Sequence, residues 1–87
     1  MAIKNREIVA DNFVDIELEH DNTHYKGWVQ PSDKKNAKGI PSSFHVVLNN
    51  VFFANLSYNQ EKWIADDQRP DDLVQAVGRR IEKHFPI

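Results

Sequence analysis

The stretch Phe44-His45-Val46-Val47-Leu48-Asn49-Asn50-Val51-Phe52-Phe53-Ala54-Asn55-Leu56-Ser57-Tyr58 decides the fold. Two runs rich in β-branched and aromatic residues meet at Asn49-Asn50. Asn tolerates the positive φ that a two-residue type I′ turn needs at both positions, so the pair reads as a hairpin. Asn59-Gln60 reads as a second turn, with another strand over 61–65. If each turn holds two residues, Leu48 faces Val51, Val47 faces Phe52, His45 faces Ala54 and Leu56 faces Trp63. Alternation then puts His45, Val47, Phe52, Ala54, Leu56 and Trp63 on one side of the sheet. Phe44, Val46, Leu48, Val51, Phe53 and Ile64 fall on the other. Both sides are apolar, so both need a cover.

Upstream, Val14, Ile16 and Leu18 alternate with Asp15, Glu17 and Glu19, the pattern of a half-buried strand. Asp21-Asn22-Thr23 has turn chemistry, and a second strand follows over 24–30. Downstream, Pro70 suits the first position of a helix, where its missing N–H costs nothing. Asp71 and Asp72 complement the positive end of the helix dipole, and Arg79, Arg80, Lys83 and His84 the negative end. Leu73, Val77, Ile81 and Phe85 recur every four residues, with Val74 beside them, as one apolar stripe. The spacing predicts a helix over about 70–85, stopped by Pro86. Gly78 inside it costs about 1 kcal/mol relative to Ala, and is expected to let the helix approach the sheet closely.

These elements predict an α+β fold: an antiparallel β-sheet of about five strands, in a meander of hairpins, with one C-terminal α-helix packed on one face. A length of 87 residues fits a single domain, 1–87. Segment 1–12 matches neither a helical nor a strand period. Residues 31–43, with two prolines, one glycine and three lysines, read as a long mobile loop. One helix covers one face only. The first hairpin is expected to fold over the other, and a homodimer is the rival cover; the chain is thus a monomer or a homodimer.

Composition narrows the function classes. Without cysteine there are no disulfides and no thiolate metal sites. A net charge of −2 lacks the basic excess of a dedicated nucleic-acid binder. No apolar run approaches the roughly 18–20 residues that span a bilayer, so no membrane is expected as a partner. The first residues, Met1-Ala2-Ile3-Lys4-Asn5, begin no apolar stretch of signal-peptide length, and a cytoplasmic location is expected. In that setting the Asn55-Leu56-Ser57 glycosylation triplet is a chance match.

Several side chains carry possible chemistry. Trp28, next to Gly27 and beside the long loop, suits a binding anchor. Tyr25 and Trp28 have the rings that stack on bases, but two residues three apart on a strand face opposite ways. Lys34, Lys35 and Lys38 make the loop basic, yet it lacks the glycine and Gly-Lys-Ser/Thr pattern of a phosphate cradle. Lys34-Lys35-Asn36-Ala37-Lys38 has nearly the letters of the double-stranded-RNA-binding signature. That signature opens a helix, whereas here strands follow, so the match fails on position.

His45 lies two residues from Ser43, which would share its face, but no third group orients it as a catalytic base needs. His20, His24 and Asp21 cluster around the first turn without diagnostic metal spacing. Asp15, Glu17 and Glu19 are the wet face of a strand. The expected function is a small binding or interaction module for a protein, peptide or small ligand, with Trp28, Tyr25, Lys34, Lys35, Lys38 and His45 as candidate contacts. No catalytic residue, metal or cofactor is assigned. One alternative is a small enzyme or accessory subunit with a pocket around His45. The other is a weak nucleic-acid or phosphate binder through Lys34–Lys38, although nucleic acid is not the favoured partner.

Overall fold

The computed structural model describes residues 13–85 and Ile87. The ambiguous segment 1–12 and the helix stop at Pro86 lie outside the described residues. Among the described residues five strands form one antiparallel sheet in the order of the sequence: β1 (Val14–His20), β2 (Thr23–Pro31), β3 (Phe44–Leu48), β4 (Val51–Asn59) and β5 (Lys62–Ala65). Among the same described residues one helix, α1 (Asp71–Glu82), follows and packs on one face. The architecture is the α+β arrangement the sequence predicts. Among the described residues, no helix is long and apolar enough to cross a membrane.

Three two-residue turns set the meander. Asp21 and Asn22, Asn49 and Asn50, and Gln60 and Glu61 all have left-handed φ, from 51° to 66°. Turns of this hand match the twist of the flanking strands. The third turn differs from the expected Asn59-Gln60 by one residue. Asn59 therefore pairs with Lys62, Tyr58 with Trp63, and Leu56 with Ala65 rather than with Trp63. Moving the turn by one residue shifts the pairing by two, which leaves every side chain on its own face, so alternation alone does not distinguish the two registers.

The expected grouping of faces is corrected at a β-bulge. Val47 pairs with Phe52 as expected, but Val46 pairs with Ala54 and His45 with Asn55. Phe53 is the additional residue. Phe53 and Ala54 both turn inward, and the alternation of β4 changes phase there. The inner face accordingly gathers Phe44, Val46, Leu48, Ala54, Leu56 and Trp63 in the buried core, while His45, Val47 and Phe52 stay on the outer face.

The first hairpin does not cover the sheet. Trp28 pairs with Val47 and Val29 with Val46, so β2 continues the sheet edgewise beside β3. Gly27 permits this pairing: a β-carbon there would overlap the carbonyl of Val47. Among the described residues, no element lies over the outer face.

Helix α1 supplies the other half of the core through Leu73, Val74, Val77 and Ile81. Each such side chain, once buried, contributes about 1.5–3 kcal/mol. The helix ends at Glu82, earlier than the periodicity suggests. The N–H groups of His84 and Phe85 both bond the carbonyl of Ile81, and the chain turns so that Phe85 meets Phe44 at 5.0 Å between ring centroids. Phe85 thus continues the apolar stripe without being helical.

Trp63 is the joint between sheet and helix. Its Nε1–H donates to Glu82 Oε2 at 2.8 Å. Its backbone N–H donates to Gln75 Oε1 and its carbonyl accepts from Gln75 Nε2, at 3.1 and 2.7 Å. A side-chain amide on the helix thus takes the place of a neighbouring strand on the β5 edge. Gly78 lies under the indole, where a β-carbon would overlap the ring.

Candidate functional site

Alternation on β1 to β4 places one aromatic ring from each strand region on the outer face. Phe13, just before β1, stacks on Trp28 of β2, with centroids 4.7 Å apart and planes 24° from parallel. Trp28 stacks on His45 of β3 at 5.6 Å and 26°. His45 stacks on Phe52 of β4 at 4.8 Å and 29°. The spacing is that of adjacent strands, about 4.8 Å. Near-parallel rings at these distances are offset-stacked, so the belt turns ring edges outward, its inner ring faces are turned toward one another, and each end ring keeps one face open. Phe13 and Phe52, at those ends, are 42% and 43% exposed.

The belt runs across the strands. Val47, paired with both Trp28 and Phe52, fills the gap on one side of it. Gln30, paired with His45, and Asn55, also paired with His45, edge it on the other. Ile64, 46% exposed and paired with Ser57, extends the apolar surface onto β5.

Carboxylates stand at both ends. Asp15 pairs with Trp28 on the β1 side. On the β5 side, Asp66 accepts the Asn55 backbone N–H at 3.0 Å and its Nδ2–H at 2.8 Å. Those bonds, the side-chain one foremost, hold the Asp66 carboxyl below its ordinary value of 3.8, with a smaller contribution from Arg69. Glu17 and Glu19 lie farther along β1, where His24 Nε2 approaches Glu17 at 2.6 Å and Nδ1 approaches Glu19 at 3.7 Å.

The structure therefore brings together two of the expected contact residues, Trp28 and His45, and adds Phe13 and Phe52. Tyr25 is elsewhere: it pairs with Leu18 and packs against the core on the inner face. Lys34, Lys35 and Lys38 are exposed on a narrow tongue. Ser32 N–H bonds Ser43 O, Ser42 N–H bonds Lys34 O, and Asn36 N–H bonds Ile40 O along it. Asn36 Oδ1 accepts the N–H groups of Lys38 and Ile40 at its tip. Gly39, at φ 81°, closes the tip.

His45 and Ser43 share a shallow hollow of about 330 Å³ with Gln30, Asp33 and Asn55. Both ring faces of His45 are taken by Trp28 and Phe52. Among the described residues, no hydrogen bond joins it to Ser43 or to a carboxylate.

The histidines of the first turn part company. His20 pairs with Thr23 and His24 with Glu19, so they do not oppose each other. His20 Nε2 instead bonds Asp72 Oδ2 at 2.9 Å and lies 3.6 Å from Asp21 Oδ2. A ligand atom from each of His20, Asp21 and Asp72 lies within 4.8 Å of the others. Both carboxylates are exposed, and the contact pins the first turn to the start of α1. The bond from His20 holds the Asp72 carboxyl below 3.8.

Phe13 and Phe52 escaped the sequence reading for different reasons. Phe13 shares the outward parity of Asp15 but precedes the clear alternation. Phe52 is correctly paired with Val47, but the bulge at Phe53 hides that its face is not that of Ala54 and Leu56. Compared with known protein families, with curated proteins and with solved structures, the chain matches none.

Proposed function

We propose that this domain is a non-catalytic interaction module that docks a partner protein on the outer face of its sheet. The observation that carries the reading is the belt of Phe13, Trp28, His45 and Phe52, stacked across an outer face that no described element covers. Aromatic residues in a rigid, partly desolvated cluster are the anchors of protein interfaces. Stacking fixes the rings before binding, so little side-chain entropy is lost when a partner arrives.

The alternatives fit this face less well. A single-strand binder needs open ring faces beside cations. Here the inner ring faces are used by one another, the lysine tongue is a separate feature, and Asp15 and Asp66 flank the belt. An enzyme would need His45 oriented by a hydrogen-bond partner, and its ring is held by stacking instead.

The test is site-specific photo-cross-linking from position 52, with position 80 on the exposed side of α1 as control, in cells that make the protein. The expected result is a protein adduct at 52 that is absent at 80 and is lost in Trp28→Ala. Equal labelling at both positions, or labelling at 52 that survives Trp28→Ala, contradicts the reading. A 52-to-52 adduct of doubled mass would make a second copy the occupant and replace the partner protein.

A further inference from the structure

Resting on that reading, we infer the chemistry of the partner: an extended segment lying across the strands, apolar in its middle and carrying a cation at each end. The apolar middle answers the ring edges of the belt and Val47. The cations answer Asp15 and Asp66.

The two carboxylates differ from the glutamates of β1. Glu17 and Glu19 both lie against His24. Asp15 has no ion pair among the described residues. Asp66 is kept ionised by the two Asn55 donors, and each of its oxygens has a lone pair left for a cation. Arg69 pairs with Asp67 at 3.4 Å and donates through Nε to the carbonyl of Phe53, so it does not occupy Asp66.

Geometry sets the length of the segment. From β1 to β5 there are four strand spacings of about 4.8 Å, so the carboxylates are roughly 19 Å apart along the sheet. An extended chain rises about 3.3 Å per residue, so the two cations belong about six positions apart. Beside this path, two residues from Trp28 on β2, lies Gln30, whose side-chain amide makes no hydrogen bond among the described residues. That amide is placed to meet the main chain of the segment, which would otherwise lose its water partners over the belt. Arginine suits both ends, because its fork bonds a carboxylate through two donors.

The test uses three synthetic peptides, with Arg, Gln or Glu at both ends of the same Val-Leu-Val-Phe-Val core, titrated into the folded protein and followed by backbone and side-chain chemical shifts. The Arg-ended peptide is expected to move signals of Phe13, Trp28, His45 and Phe52, and to bind about fivefold tighter than the Gln-ended one, the scale of two exposed ion pairs. Raising the salt should erase that margin. Asp15→Asn, an exposed change that leaves the core untouched, should remove about half of the free-energy advantage. Equal binding of Arg- and Gln-ended peptides at the belt overturns the cationic segment and leaves the docking reading standing. Tighter binding of the Glu-ended peptide overturns it as well. If all three peptides move only signals away from the belt, the docking reading falls with it.

Discussion

The indole of Trp63 crosses helix α1 at Gly78, in the space that a β-carbon would fill. The same side chain bonds Glu82 through its Nε1–H, and its backbone bonds Gln75, so three successive turns of the helix are keyed to one residue of β5. Gly78→Ala therefore sets two effects against each other. Helix propensity favours Ala by about 1 kcal/mol. Overpacking a tight contact costs about 1–3 kcal/mol, and the indole, held at Nε1 and packed edge-on to Phe44, has little room to move. The net expectation is a loss of up to about 2 kcal/mol, read as a lower urea midpoint with an unchanged slope. A raised midpoint would show that the indole yields.

Gln75 guards the β5 edge. Its amide takes the N–H and the carbonyl of Trp63 that a further strand would otherwise pair with. Gln75→Ala leaves both groups without that partner, and a loss of about 1–2 kcal/mol is expected. It also opens an edge to pairing between copies. Light scattering should then rise with concentration in Gln75→Ala but not in Gln75→Glu, whose carboxylate adds charge at the edge. Identical scattering from Gln75→Ala and the parent protein would mean that the edge needs no guard.

The contact between His20 and Asp72 has an acid signature. Hydrogen bonding from His20 depresses the folded-state pKa of Asp72 below 3.8, so folding favours the ionised carboxyl. That stabilisation is fully present above the unfolded value, and it is lost as the pH falls below 3.8 and through the depressed folded value. Asp66 adds to the same acid limb through Asn55. In His20→Ala, a carboxyl titration followed by NMR should move Asp72 up toward 3.8, and stability should decline less steeply over that limb. An unmoved Asp72 titration would show that the bond does not persist in solution.

Most of the fold was legible because alternation and turn chemistry agree locally. Val14 to Glu19, the Asn49-Asn50 turn and the stripe Leu73, Val77, Ile81 each satisfy one rule without competition. What stayed hidden depends on long-range choices. The bulge at Phe53 obeys β4 packing against β3, where two inward residues answer one partner, and no local pattern announces it. The Gln60-Glu61 turn relies on Trp63 meeting Tyr58 and Gln75, the latter a residue twelve positions away. The sheet-wide pairing of β2 with β3 needs Gly27, whose role is invisible until the carbonyl of Val47 lies against it.

The candidate site was legible in part for the same reason. Trp28 and His45 stand out as side chains, but their neighbourhood is created by register. Only when β1 to β4 are laid side by side do Phe13 and Phe52 complete the row. The remaining named candidates, Tyr25 and the three lysines, carry suitable chemistry at places the fold separates from the belt.

The most direct test of a belt built for docking measures folding and partner capture on one variant, Phe52→Ser. Phe52 is a half-exposed end of the stack, so its loss should cost about 2 kcal/mol of stability, the scale of one aromatic pair together with a half-buried ring. The variant should remain folded by urea unfolding, while the adduct formed from a photo-cross-linker at the adjoining position 47 disappears. A variant that keeps its adduct while losing about 3 kcal/mol or more would contradict that role and make the belt a structural brace.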